Sequence, residues 1–274
     1  YKKGVADYMI EEYKSGFTPN PDVMCNREVK FGVFWNFAKE HGADYIATGH
    51  YAICSKSINS FLKTTGVGAP KQAVLAERDK EDEEKLFMLK RSPDLSKDQS
   101  YFLWTLTQKD LANTLLPVGH LHKTEVRKLA DKYNLPVATK KDSQGVCFLG
   151  PLDMKDFLKH YIDAKSGEVL DVDGKVIGSH DGAMFFTLGE RHGFTIFKHS
   201  TESKPLYVVA KDIARNTITV SENLHNEKND NKVYGLKNTN WIGKLNEDMV
   251  YKAEIRCHGK PLNCKIKSDK IYFE

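Results

Sequence analysis

A chain of 274 residues with 41 Lys and Arg against 37 Asp and Glu carries a formal net charge of +4, too weak by itself to mark a nucleic-acid binder. Its mean hydropathy is −0.51, and no apolar run nears the ~18 residues of a spanning helix, which argues for a soluble protein of one large domain or two to three smaller ones. Five cysteines at 25, 54, 147, 257 and 264, without a Cys-x-x-Cys pair, argue against a disulfide scaffold or structural zinc and for a reducing, cytoplasmic setting.

Val5, Tyr8, Met9 and Tyr13 recur at helical spacing and Gly16 follows as a C-cap, which predicts a first helix. Phe17-Thr18-Pro19-Asn20-Pro21-Asp22 holds two prolines, which forbid regular helix and impose an extended or turning backbone. Cys25 to His41 reads as the next helix, with Val29, Val33, Phe34 and Phe37 on one face and Gly42 at its end. Asp44 to Tyr51 reads as a short strand running into a small-residue loop. A strand then Gly after a helix marks an α/β unit, whose ligands sit beyond the C-terminal strand ends.

Residues 56–72 are rich in Ser, Lys, Gly and Pro and predict an exposed loop, and the acidic cluster Asp79–Glu84 a solvated surface. Helices resume at Gln99–Leu106, Gln108–Leu115 and Lys123–Tyr133, the last with Val126, Leu129, Ala130 and Tyr133 on one face. One more, Met154–Tyr161, follows Gly150-Pro151. Glycines at 167, 174, 178, 182, 189 and 193 then punctuate short alternating runs, continued by Tyr207–Val209, Thr217–Val220 and Val250–Arg256. The organisation expected is α/β over 1–150, β-rich over 151–228 and β over 229–274, with breaks near 150 and in the Asn/Lys/Asp-rich stretch 225–232.

Two cysteines stand in settings that suggest chemistry. Cys25 is expected at a helix start, where backbone N–H groups and the helix dipole favour the thiolate. Asp22, three residues earlier, is placed to exchange a proton, although a nearby carboxylate raises a thiol pKa. The plain alternative is a capped helix end with Cys25 as a small buried hydrophobe. Cys147 lies between Lys140-Lys141 and Gly150, where positive potential would stabilise a thiolate or persulfide; the alternative is a core strand, Val146-Cys147-Phe148-Leu149. Cys54, Cys257 and Cys264 read as core or surface thiols. Lys97-Asp98-Gln99-Ser100 offers a cation, a carboxylate and an amide in a row, or simply a helix cap, and Gly49-His50 could approach a nucleotide or polynucleotide backbone.

Thr18 to Phe31 (TPNPDVMCNREVKF), Ala43 to Tyr51 (ADYIATGHY), Lys97 to Leu103 (KDQSYFL), Asp142 to Gly150 (DSQGVCFLG), Gly178 to Gly182 (GSHDG) and Thr187 to Arg191 (TLGER) together resemble, in order, the signature of the tRNA-specific 2-thiouridylases. The similarity runs from about Tyr13 to Ile266. It implies the remainder of a Rossmann-like pyrophosphate-loop ATPase domain, a small β-rich central domain and a partial C-terminal β-barrel. It also implies an ATP- and Mg2+-dependent enzyme that replaces O2 of the wobble uridine of tRNA with sulfur through an adenylated intermediate. The sulfur would arrive as a persulfide from a cysteine desulfurase or a sulfur carrier, with no membrane partner and no structural metal.

By the same resemblance Cys147 would carry the persulfide and Cys25 would release its terminal sulfur, so that a Cys25–Cys147 disulfide is a compatible state. Asn20, Pro21 and Asp22 would meet the target base, with Asp22 an acid/base. His50, Lys97, Asp98 and Gln99 would contact tRNA and Gly49 would lie at the ATP. Arg256 and Cys257 fall where the family has an Arg-aromatic tRNA contact, from which Cys257 departs; Glu190 stands where the family usually has Gln.

Splitting the substitution into activation and persulfide attack agrees with general chemistry. The two thiols must be brought together by the fold, which predicts a mobile loop, and the base must be flipped to reach them. The family's Ser-Gly-Gly-x-Asp-Ser loop does not occur in the chain, the first residue is Tyr, and the closing Pro-Gly-Gln segment is not found. The expectation is a truncated form that does not itself adenylate uridine. Competing readings are a different pyrophosphate-loop ligase, a non-catalytic tRNA-binding remnant and a thiol–disulfide oxidoreductase.

Overall fold

The chain forms two compact units, each built from separate stretches of sequence: residues 1–33 with 141–237 and 247–274, and residues 34–140 with 238–246. The structure, a computed structural model, describes residues 2–57, 86–140, 154–197, 204–223, 232–255 and 259–274.

In the first unit a π-helical turn, Lys2–Ala6, runs into α1 (Asp7–Lys14). Gly16 ends it at φ +80°, a left-handed conformation glycine adopts without a Cβ penalty. The chain crosses Pro19 to α2 (Pro21–Met24), continues as a π-helix over Cys25–Phe34, and reaches α3 (Trp35–Glu40) in the second unit. Ile10 and Tyr13 of α1 pack with Leu158 of α6 (Met154–Lys159), Ile162 and Phe185, while Val5 and Met9 pack with Met24. Each large apolar side chain so buried contributes about 1.5–3 kcal/mol.

The β-rich part of this unit is a five-stranded sheet in the order β7 (Phe194–Ile196), β6 (Val176–His180), β5 (Gly167–Leu170), β9 (Thr217–Ser221), β8 (Tyr207–Asp212). Only β5 and β9 pair in parallel; the other pairs are antiparallel. Ile218 and Val220 point inward and alternate with half-buried neighbours, as a strand with one core face requires. They join Val169, Ala183, Phe186 and Val208 in one cluster. A second, antiparallel sheet has the order β10 (Val233–Gly235), β13 (Lys270–Phe273), β12 (Leu262–Lys267), β11 (Tyr251–Ala253), with Cys264, Ile266 and Ile271 buried.

The second unit holds the parallel pair β1 (Ile46–Ala47) and β4 (Thr114–Leu115), the antiparallel pair β2 (Ala52–Ser57) and β3 (Leu86–Arg91), a 3-10 turn at Ser100–Leu103, α4 (Gln108–Ala112) and α5 (Lys123–Lys132). Asn240 donates to the carbonyls of Trp104 and Leu106 at 2.7 and 2.8 Å, which fastens 238–246 to it. Among the described residues no helix is long and apolar enough to cross a membrane.

Several expectations are corrected. The helix begins at Pro21, not Cys25, because proline's missing N–H is no loss at the first helical position. Val33, Phe34 and Phe37 are exposed, while Phe31 and Trp35 are buried. The reason is the π-helix, whose i→i+5 bonds turn residues away from the face a 3.6-residue period assigns. No residue of α5 is buried, so its apolar stripe is not a core face. Lys56 and Ser57 belong to β2, and the strand expected over 44–51 contracts to Ile46–Ala47. The rest of the 56–72 loop, the Asp79–Glu84 cluster, the boundary near 150 and most of the 225–232 break lie outside the described residues.

Candidate active site

Asn20 makes the start of the helical run. Its Oδ1 accepts from the N–H groups of Asp22 at 3.1 Å and Val23 at 3.2 Å, two of the donors that a helix N-terminus leaves without a partner. Asp22 therefore sits in the first turn and Cys25 one turn on, three residues apart and on one side of the helix. The Cys25 N–H bonds back to the carbonyls of Asp22 and Pro21, and its side chain is 0% exposed. The free helix-end amides expected beneath the thiol are thus already occupied, and the dipole has faded beyond the first turn. Cys25, Cys54 and Cys264 are thiols, not disulfides.

In the second unit the loop that carries Gly49 and His50 is joined to the loop that carries Asp98 and Gln99 through Tyr51. The Gln99 N–H donates to the Tyr51 carbonyl at 2.8 Å, and the Tyr51 N–H donates to Gln99 Oε1 at 3.0 Å. Asp98 is buried and accepts from the Ser92 N–H at 2.8 Å and the Ser100 hydroxyl at 2.7 Å. His50 is buried, with Nδ1 2.8 Å from Thr48 Oγ1. Asp94 accepts from the Lys123 N–H at 3.0 Å and the Ser96 hydroxyl at 2.7 Å, and these bonds hold its carboxyl below the usual carboxylate range. Lys123 in turn lies over the Tyr51 ring, 5.2 Å from its centre. Two loops, 48–51 and 92–100, are in this way one framed surface past the C-terminal end of β1, where ligands of α/β units bind.

The family model for the tRNA methyl transferase HUP domain matches residues 1–151, and that for the tRNA methyl transferase PRC-barrel domain matches residues 155–222. The chain is 38% identical over 271 residues to a tRNA-specific 2-thiouridylase MnmA of Buchnera aphidicola, covering 97% of this chain and 67% of the relative. It is 43% identical over 218 residues to the protein of that name from Akkermansia muciniphila, covering 80% and 54%, and 40% identical over 228 residues to that of Streptococcus agalactiae, covering 83% and 54%. The chain belongs to the tRNA-specific 2-thiouridylase family. It spans between about half and two thirds of the length of these curated relatives. A Rossmann-like part followed by a β-rich part is the architecture the two family models describe, and the α/β and β-rich regions of the fold follow that order.

Set against the family's signature, the expected site residues divide in two. Asn20, Pro21, Asp22 and Cys25 share one helix start in the first unit; Gly49, His50, Lys97, Asp98 and Gln99 share the framed loops of the second. Lys97 is half-buried and its backbone N–H donates to the Asp94 carbonyl at 3.0 Å. Cys147, Arg256 and Cys257 lie outside the described residues.

Gly49, expected at the ATP, is exposed, and a Cβ there would meet nothing within 4 Å. Among the described residues no group of three His, Cys, Asp or Glu gathers as a metal site. Sequence reasoning gave no role to Tyr51, Ser92 or Thr48, which frame the loops with backbone or hydroxyl groups. Thr48 and Tyr51 stand inside the quoted motif Ala43–Tyr51, which was their signal, while Ser92 lies outside the quoted motifs.

Proposed function

We propose that the chain carries the sulfur-transfer residues of tRNA wobble-uridine 2-thiolation. The observation that supports this reading most is the single capped turn that holds Asn20, Pro21 and Asp22 one helical turn from the Cys25 thiol. Asn20, Pro21 and Asp22 receive the flipped base, with Asp22 exchanging its proton. His50, Lys97, Asp98 and Gln99 form the tRNA-facing loops, and Arg256 and Cys257 add a further tRNA contact. Gly49 approaches ATP, which when bound with Mg2+ supplies the adenylyl group that makes O2 of uridine a leaving group.

Sulfur comes from a persulfide donor, a cysteine desulfurase or a carrier, and is held on Cys147. Its terminal sulfur bonds C2 as the activated oxygen departs. The Cys25 thiolate then attacks Sγ of Cys147, the S–S bond breaks with its electron pair left on the base sulfur, and a Cys25–Cys147 disulfide remains for a thiol reductant. Complete burial of Cys25 means that the helix start must open for this step. The setting of such chemistry is the reducing cytoplasm.

Nucleoside mass spectrometry of tRNA tests the reading, in cells that rely on this protein, comparing wild type with Cys147→Ser and Cys25→Ser. Loss of 2-thiouridine with tRNA binding intact supports it. Persistence of 2-thiouridine in either variant removes that cysteine from the relay and favours a binding role or a ligase without thiol chemistry.

A further inference from the structure

The turn Thr187–Glu190 lies in the PRC-barrel part, far in sequence from the Asn20–Cys25 helix start and given no role in the reading above. It is closed on itself twice. The Glu190 N–H donates to the Thr187 carbonyl at 3.0 Å, and the Thr187 N–H donates to Glu190 Oε2 at 2.9 Å. It is also pinned to β8 on both sides of Glu190. The Gly189 N–H donates to the Val208 carbonyl at 2.7 Å, and the Val208 N–H donates to the Glu190 carbonyl at 2.8 Å. Lys211 of the same strand donates to the Phe186 carbonyl at 2.7 Å, just before the turn. With five bonds holding it, this turn is a fixed part of the sheet.

One side chain reaches out of it. Thr187 Oγ1 is 3.0 Å from Thr18 Oγ1, two residues before the capping Asn20. A second contact lies two residues earlier, where Gly16 is pressed on Ile213 so closely that a Cβ would stand 2.5 Å from Cγ1. Between the two contacts Phe17 keeps one tie to α1, its N–H donating to the Glu12 carbonyl at 2.9 Å, and residues 17–20 belong to no helix or strand. The stretch from Thr18 to Asn20 therefore takes part of its course from the β-rich domain. The groups around the turn feel Glu190: burial first and then its charge raise the Tyr13 phenol near the end of α1, and the same charge opposes the downward push of burial on Lys211.

We infer that Thr187, locked by Glu190, is a positioning residue for the Asn20–Cys25 site, so that the PRC-barrel domain sets the geometry of the thiol-bearing helix start. The inference rests on that site being the reaction site, but its physical content is separable from it. A hydroxyl pair of this kind contributes enough to change the population of an opened helix start by roughly threefold to tenfold.

The test uses the full 274-residue chain. Amide exchange of Asp22 and Val23, and the alkylation rate of the Cys25-bearing peptide by iodoacetamide, are measured for wild type, Thr187→Val, Thr18→Val, the double variant and Thr187→Ser. The expected result is a threefold to tenfold rise of both readouts in either valine variant, no further rise in the double variant, and return to wild type with serine. Exchange of the Val169, Ile218 and Val220 amides in the sheet stays unchanged. Wild-type readouts in Thr187→Val, additive effects in the double variant, or a parallel rise in the sheet amides overturn the inference. If the exchange results are as expected while Cys25→Ser cells keep their 2-thiouridine, the clasp stands and the sulfur-transfer reading falls.

Discussion

Gln99 and Tyr51 are joined by two hydrogen bonds, main chain to main chain at 2.8 Å and main chain to side chain at 3.0 Å, so that the Gln99 amide stands in for the carbonyl of a missing strand neighbour. Tyr51 is buried, and its N–H has this acceptor in place of water. Gln99→Ala is expected to cost about 1–3 kcal/mol, because a buried donor left unmade carries its full desolvation penalty. Gln99→Glu keeps an acceptor oxygen and loses less. Urea unfolding midpoints decide it: an unchanged midpoint in Gln99→Ala would show that the side chain serves an outside partner only.

The cap at Asn20 separates stability from chemistry. Asn20→Ala removes the acceptor for two amides and is expected to lower stability by about 1 kcal/mol. Asn20→Ser retains a capping oxygen and keeps most of it. If Asn20 also meets the target base, Asn20→Ser holds its thermal midpoint yet loses 2-thiouridine formation. A midpoint that drops equally for both variants contradicts the capping account.

Much of this was readable beforehand, for reasons that differ by element. The α5 helix was legible because Lys123 to Tyr133 has unbroken helical spacing, and its start is fastened by the Glu125 carboxylate accepting the His122 N–H at 2.7 Å. The β-rich region was legible from its glycines. The buried face of 25–34 was not, since a π-helix shifts the period on which pattern reading depends. Pro21 misled because proline both breaks helices and begins them, and only the Asn20 cap tells the two apart. The motif 97–100 was found as a functional group of residues. That Asp98 and Gln99 spend their polar atoms inside the protein depends on contacts with residues 51 and 92, which spacing along the chain does not encode.

Two glycines give opposite expectations for the same substitution. At Gly119 a Cβ would stand 1.7 Å from the backbone oxygen of Ala52, so Gly119→Ala must push two backbones apart. A loss of about 3 kcal/mol or more is expected, at the upper end of overpacking costs. Gly174 has φ +83° but open space around it, so Gly174→Ala meets only the left-handed penalty of about 1–2 kcal/mol. Denaturant titration of the two variants side by side checks the ranking. Equal losses would refute the close approach of residues 119 and 52.

His180 sets a pH dependence. It is buried, and its Nδ1 accepts the Gly182 N–H at 2.9 Å, which only the neutral ring can do. Burial, the largest influence, lowers its pKa below the ordinary histidine value, with Lys155 adding to the effect and backbone bonding near Glu168 and Asn216 and the charge of Asp181 opposing it. The unfolded chain therefore binds a proton near pH 6.5 that the folded chain refuses. The stabilisation is fully present above about pH 6.5 and is lost as pH falls toward the folded value, with a slope of at most about 1.4 kcal/mol per pH unit for one proton. His180→Gln retains an acceptor for Gly182 and removes the titration. Unfolding free energies measured from pH 7.5 to 5 should fall more steeply in wild type than in the variant. Parallel curves would mean that the ring takes up its proton in place, and that the Gly182 bond is not what the neutral form maintains.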